Sequence, residues 1–86
     1  MTDDEVRRRR EARRRFLEIL YEHSERGESE YQDGYDLAAE IGVSRQDAER
    51  IVRYHEDHGH VRKSGSHGLT VRITAQGIDH VEEGAA

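Results

Sequence analysis

The chain has 86 residues, of which 33% are hydrophobic and 38% are charged, with a formal net charge of −5, so it can form one domain with a small core but not two. It contains no cysteine, which excludes disulfides, thiolate metal sites and a cysteine nucleophile. No apolar run approaches the roughly 18 residues that a membrane span needs, and the basic N-terminal stretch lacks the apolar segment of a secretory signal, so we expect a cytoplasmic protein.

The charges are unevenly distributed along the chain. Residues 7–15 hold seven Arg and one Glu, whereas residues 16–60 hold twelve acidic residues and four Arg. The basic block predicts either a polyanionic partner near the N-terminus or a solvated helix face. All of the 14 basic residues except Lys63 are Arg, which together with the acidic excess is typical of proteins from a halophile or a GC-rich genome.

The first predicted element is an amphipathic helix from about residue 12. Gly27 is expected to end it. Residues 1–11 form an Arg-rich N-terminal extension that either continues the helix into solvent or frays, so we place the domain itself at residues 12–83. The apolar stripe of the helix has a 3.6-residue period and comprises Ala12, Phe16, Ile19, Leu20 and His23.

A loop is predicted between Glu28 and Gly34, with room for a short strand around Tyr31. A short second helix follows at about residues 35–41 and ends at Gly42. Proline is absent from the chain, so these breaks depend on glycine and on helix caps.

The third predicted helix runs from Arg45 to about His58. Ser44 is expected to cap its N-terminus, because Ser44 and Asp47 have the spacing of a capping box. Gly59 fits the left-handed position that ends a helix. The inner stripe of this helix comprises Ala48, Ile51, Val52 and His55.

After the third helix the hydrophobic period changes from helical to alternating. A short strand is predicted over residues 61–63 and a second over residues 69–73, where apolar and polar residues alternate. The Gly-rich segment 64–68 between them predicts a β-hairpin. Thr74 is expected to cap a final short helix that frays at Gly84.

Residues 37–44, together with the start of the third helix, resemble a helix-turn-helix of the winged-helix family. In that family a small residue is followed four positions later by glycine, as in Ala38 and Gly42, and apolar residues return early in the next helix, as in Ala48 and Ile51. The hairpin and final helix are similar to the wing and closing helix of many regulator domains. The resemblance implies an α+β fold: a winged helix-turn-helix with a three-helix core, a two-stranded β-hairpin wing and a short C-terminal helix.

The same resemblance implies a DNA-binding domain of a transcriptional regulator, with helix 45–58 in the major groove and hairpin 61–73 as the wing. Double-stranded DNA is then the expected partner. If the inner stripe of the third helix faces the core, its outward side chains reach base edges and phosphates. The expected base contacts are Arg45 and Gln46, the expected phosphate contacts are Arg50 and Arg53, and the expected wing contacts are Arg62, Lys63 and His67. If the first helix lies along the duplex, residues 13–15 are also expected to contact the DNA backbone.

A winged-helix module that binds protein without binding DNA is the alternative, because the fold serves both uses. The third helix holds three Arg and four acidic residues, and Glu49 lies within the proposed contact face, whereas strong DNA binders present a basic surface. A homodimer is a further alternative, in which the Arg-rich helix of one copy binds an acidic surface of the other. No enzyme activity, cofactor or small-molecule ligand is expected. Ser44 and Thr74 are interpreted as helix caps and not as catalytic nucleophiles.

The six histidines give a second set of hypotheses. His55 and His60 occupy positions where the winged-helix family usually has large apolar residues. A metal site is one hypothesis, with His55 and His58 on adjacent turns and His60 or His80 completing it. A pH switch is another, and the third is that these are partly exposed residues at the edge of the core. Because no acidic ligand accompanies the histidines at a recognisable spacing, we expect no metal.

Overall fold

The computed structural model describes residues 2–27 and 29–85, and Met1, Glu28 and Ala86 lie outside the described residues. This part of the chain has four helices and three strands, in the order helix, strand, helix, helix, strand, strand, helix. The helices are α1 (Asp3–Glu25), α2 (Gly34–Glu40), α3 (Arg45–Asp57) and α4 (Ala75–Ala85). The strands are β1 (Gln32–Asp33), β2 (Val61–Ser64) and β3 (Thr70–Ile73). Within the described ranges, no helix is both long enough and apolar enough to cross a membrane.

Helix α1 takes in most of the Arg-rich N-terminal stretch. The backbone N–H of Glu5 donates to Thr2 Oγ1 at 3.2 Å, and three acidic residues occupy the first turn, where negative charge interacts favourably with the helix dipole. Residues 3–11 are therefore helical and continuous with the rest of α1. The division of the chain at residue 12 stays a prediction.

A tight turn joins α2 to α3. Gly42 has a φ of +72°, which glycine adopts without steric cost, and the N–H of Val43 donates to the carbonyl of Ala38 at 2.8 Å. Ser44 then caps α3 as predicted, since its Oγ accepts from the N–H of Asp47 at 3.1 Å. The local sequence thus sets both the turn and the start of α3.

The three strands form one antiparallel sheet in the order β1-β3-β2. The predicted hairpin is confirmed, with Val61 opposite Ile73 and Ser64 opposite Thr70. The wing sheet also contains β1, which lies one residue beyond the short strand considered around Tyr31. Its place is set by a distant contact, because the N–H of Gly34 donates to the carbonyl of Leu69 at 2.7 Å.

The core lies between α1, α3 and the sheet, and α2 and α4 cover its flanks. Thr74 caps α4 as predicted, accepting from the N–H of Gly77 at 3.0 Å, and the helix continues one residue past Gly84, where we expected it to fray. Tyr21 of α1 donates to Glu82 of α4 at 2.7 Å, which ties the last helix to the first. The buried apolar residues are Phe16, Leu17, Leu20, Leu37, Ala38, Ala48, Ile51, Val52, Val61, Leu69, Val71 and Ile73.

Candidate nucleic-acid interface

Helix α3 has one face in the core and the other in solvent. Ala48, Ile51, Val52 and His55 are buried as predicted, because their spacing places them on one side of a 3.6-residue helix. The opposite face carries the predicted contact residues and one acidic residue, all exposed: Arg45, Gln46, Glu49, Arg50 and Arg53. Their exposure leaves these side chains available to a partner, and their role in DNA binding stays a prediction.

Tyr35 connects two side chains of this face. The guanidinium carbon of Arg45 lies 3.8 Å from the centre of the Tyr35 ring, a cation–π distance, and the Tyr35 hydroxyl donates to Glu49 Oε1 at 2.6 Å. The hydrogen bond to Glu49 raises the pKa of Tyr35, with burial adding to the effect, so the phenol stays protonated and keeps donating. Tyr35 therefore positions both Arg45 and Glu49.

Tyr35 was not predicted to be part of the site. The residue lies in the first turn of α2, fourteen positions before Glu49, and no periodicity relates the two. Only the angle between α2 and α3 brings the ring beneath Arg45, so the sequence alone carried no signal for this contact.

The other two arginines of the face differ in their surroundings. Arg50 Nη1 lies 3.7 Å from Asp47 Oδ1, and both side chains are exposed, so the pair contributes little to stability. Arg53 has no ion-pair partner among residues 2–27 and 29–85. Both guanidinium groups are therefore available to a phosphate.

The wing presents its basic residues on both faces of the sheet. Arg62, Lys63 and His67 are exposed, and because neighbouring strand residues point to opposite faces, Arg62 and Lys63 do not form one patch. Arg62 instead lies opposite Arg72 of β3. Arg72 Nε is 3.8 Å from Glu30 Oε1, which moderates the repulsion between these two arginines. Arg72 is a further candidate that was not predicted, because its placement depends on the strand register.

The three arginines at 13–15 do not act alike. Arg13 lies with its guanidinium carbon 4.3 Å from the centre of the Tyr54 ring. Arg14 donates to Glu11 and Glu18, and these acidic neighbours raise its pKa further, led by the hydrogen bond to Glu11. Arg15 is exposed, so the charges of Arg13 and Arg14 are engaged within the chain and that of Arg15 faces solvent.

His55 and His60 are buried side by side, at 3% and 7% exposure. The hypothesis that the histidines are partly exposed edge residues is therefore wrong for these two, and for His55 the assignment to the inner stripe of the third helix is confirmed. His55 Nε2 lies 2.8 Å from the carbonyl oxygen of Arg13, and because a carbonyl can only accept, Nε2 carries a proton and donates. The two Nδ1 atoms are 3.0 Å apart, so His60 donates to the lone pair of His55. Burial lowers the pKa of His55 to about 4 and also lowers the pKa of His60, which keeps both rings neutral near pH 7.

The other two histidines of the proposed metal site are exposed. His58 and His80 stack on the His60 ring, with centroids 5.5 Å and 4.3 Å away. Stacked rings present their faces to one another and do not direct their nitrogens at one point. Among the described residues, no three His, Asp or Glu side chains are placed to hold a metal ion.

The fold has a counterpart among solved structures. The crystal structure of the Thermus thermophilus catabolite activator protein matches this chain with a TM-score of 0.74 and 24% sequence identity, over 95% of this chain and 38% of that one. At this identity the likeness shows the fold, which is the α+β winged helix-turn-helix that the sequence predicted. No protein-family profile matches the chain, and no curated protein matches its sequence.

Proposed function

We propose that this chain binds duplex DNA as part of a transcriptional regulator, with α3 in the major groove and the β2–β3 hairpin as the wing. The observation that carries the proposal is the exposed N-terminal face of α3, where Arg45, Gln46 and Arg50 project from a fold similar to that of an activator protein. In helix-turn-helix domains the first residues of the recognition helix reach the base edges.

The proposed contacts are of three kinds, namely base contacts, phosphate contacts and wing contacts. Arg45 suits the O6 and N7 acceptors of guanine, and Gln46 suits adenine. Arg50 and Arg53 lie further along the helix and contact phosphates, which fix the register of the protein on the duplex. Arg62, Lys63 and His67 supply the wing contacts.

The acidic residues of α3 are compatible with this placement. Glu56 and Asp57 lie in the last turn, about 17 Å from Arg45 at 1.5 Å per residue, away from the end that enters the groove. Glu49 is bound to the Tyr35 hydroxyl, and Asp47 lies beside Arg50. The charge of the contact face is therefore concentrated in its arginines.

Fluorescence anisotropy with a mixed-sequence duplex across a salt series tests the proposal. We expect the logarithm of the affinity to fall linearly with the logarithm of the salt concentration, with a slope of about −0.9 for each phosphate contacted. The double variant R45A/R50A should bind at least about tenfold more weakly, since it removes one base contact, worth about 1–3 kcal/mol, and one phosphate contact. The matched control R7A/R26A removes the same charge away from α3 and should bind more tightly than R45A/R50A.

A winged-helix module for protein binding is the second candidate. The observation that favours it is the charge balance of α3, whose three Arg are matched by four acidic residues. Folded protein that fails to bind the duplex even at low salt would reject DNA binding and leave this candidate.

We also propose that two copies bind DNA together and that the protein acts in the cytoplasm. Winged-helix dimers read two half-sites separated by about one helical turn of DNA. Analytical ultracentrifugation of the free protein and of its DNA complex tests the dimer, which is rejected if one copy binds alone at all concentrations.

A further inference from the structure

An open groove of about 890 Å³ is lined by α1, the α2–α3 turn and α3. One side is the Arg-rich segment of α1 from Arg8 to Arg15, and the other contains Ser44, Asp47 and Arg50. The groove therefore adjoins the N-terminal end of α3. This arginine groove, defined by Arg8, Arg9, Arg15 and Arg50, extends the basic surface beyond the exposed face of α3 and the wing.

The acidic residues of the groove do not neutralise it. Five arginines and two acidic residues line it. Of the acids, Glu11 accepts hydrogen bonds from Arg14, which lies outside the groove lining, and Asp47 lies 3.7 Å from Arg50. The groove thus has an excess of positive charge in a chain whose net charge is −5.

Two of the arginines take part in no hydrogen bond or ion pair among the described residues. These are Arg8 and Arg15, and both are exposed. They are seven positions apart on α1, which is two helical turns, so they lie on the same face. That face is directed into the groove, whereas Arg7 and Arg10 are not part of its lining.

We propose that the arginine groove holds the phosphodiester backbone of one DNA strand beside the segment that α3 contacts. Arg8 and Arg15 neutralise phosphates from the α1 side, and Arg50 does so from α3. This inference rests on the proposed function, because it assigns a second contact surface to the same duplex.

Continuity with α3 favours DNA over an acidic protein. The groove shares Ser44, Asp47 and Arg50 with the N-cap and first turns of the helix, so a strand passing the N-terminal end of α3 lies next to the groove. A phosphate backbone is a regular row of negative charges, which suits arginines repeated along one helix face.

The salt dependence of DNA binding tests this assignment. The variant R8Q/R15Q removes the two groove charges, and the control R7Q/R10Q removes two charges from the same helix outside the groove. Gln has nearly the helix propensity of Arg, and far-UV circular dichroism checks that the helix content of both variants is unchanged. With the mixed-sequence duplex, we expect R8Q/R15Q to reduce the magnitude of the salt slope by about 2, or about 0.9 for each phosphate that is no longer neutralised. The control should reduce it by less than half as much.

The outcomes separate this inference from the proposed function. If wild-type protein binds the duplex and R8Q/R15Q keeps its slope, the groove does not hold the backbone, while DNA binding stands and an acidic protein becomes the candidate occupant. If R7Q/R10Q lowers the slope as much as R8Q/R15Q, the Arg-rich segment acts as a diffuse charge and the groove assignment is rejected. If wild-type protein does not bind at all, the proposed function fails first.

Discussion

At the residue scale, the contact between His55 and His60 is a hydrogen bond that requires a proton on one Nδ1 atom and a lone pair on the other. The carbonyl of Arg13 fixes the Nε2 proton of His55, which leaves Nδ1 to accept the proton of His60 at 3.0 Å. A ring that gains a second proton can be accommodated if its partner changes tautomer, but two protonated rings have no lone pair to share. The pair that occupies a normally apolar part of the core is therefore stable only while at least one ring is neutral.

This arrangement predicts that the protein is less stable in acid. The pKa of His55 is lowered from 6.5 to about 4 by burial, and its neighbours His60, His80 and His58 add to the effect. The unfolded chain therefore binds the proton first, so the stabilisation is complete above about pH 6.5 and is lost as the pH falls toward 4. We expect the free energy of unfolding to fall by about 3 kcal/mol over this window, measured by urea denaturation at several pH values.

Two variants separate this effect from the titration of carboxylates. H55L should be less stable than wild type at pH 7 and should lose most of the pH dependence between 6.5 and 4, because the buried imidazole is gone. H67N, in the exposed turn of the wing, should follow the wild-type profile. An H55L profile parallel to that of wild type would contradict the assignment to His55.

Tyr35 makes a separate prediction for the contact face of α3. Y35F keeps the ring on which Arg45 lies and removes only the hydrogen bond to Glu49, whereas Y35A removes both. Because an exposed cation–π contact is worth about 0.5–1 kcal/mol, Y35A should bind duplex DNA about two- to fivefold more weakly than Y35F. Anisotropy titrations of both variants measure this, and equal affinities would show that the ring does not position Arg45.

At the element scale, α4 packs so closely on the start of β2 that one of its positions requires glycine. A Cβ added at Gly77 would lie 2.2 Å from the carbonyl oxygen of His60 and 2.8 Å from Ile73 Cγ1. G77A should therefore destabilise the protein by about 2–3 kcal/mol, the upper part of the range for overpacking.

A second glycine of the same helix supplies the control. A Cβ at Gly84 would meet nothing within 4 Å, so G84A should be neutral or stabilising by up to about 1 kcal/mol through helix propensity. Thermal or urea denaturation compares the two variants. If G77A were as stable as G84A, α4 would not be packed against β2 as described.

The starts of elements that local sequence determines were predicted, whereas a strand that depends on a distant contact was placed only approximately. Ser44 and Thr74 cap helices through hydrogen bonds to residues three positions away, so both helix starts were predictable. Strand β1 depends on the carbonyl of Leu69, and its position was off by one residue.

The candidate site also combines features that local sequence determines with features that depend on the packing of separate elements. The outward face of α3 follows from its 3.6-residue period, whereas the Tyr35 contacts and the pairing of Arg62 with Arg72 require the packing of separate elements. The burial of His60 likewise depends on α4 and was not predictable from its polar side chain.

At the scale of the whole molecule, the charge distribution agrees with a DNA-binding surface at the end where α3 begins. Acidic residues occur in all four helices, while arginines of α1 and α3 converge on the groove beside the N-terminal end of α3. The expectation of a halophilic origin stays a prediction. It bears on the interaction, since at high salt the electrostatic part of DNA binding is suppressed and the base contacts of α3 would carry more of the affinity.

The most direct test of the central claim is a map of amide chemical-shift changes as isotope-labelled protein is titrated with duplex DNA. We predict the largest changes at residues 44–53 of the turn and α3, with further changes in the wing at residues 62–68 and along the groove side of α1. The C-terminal end of α1 and the exposed face of α4 should stay unchanged. Changes confined to α4 and the acidic body, or no changes at low salt, would contradict DNA binding through α3.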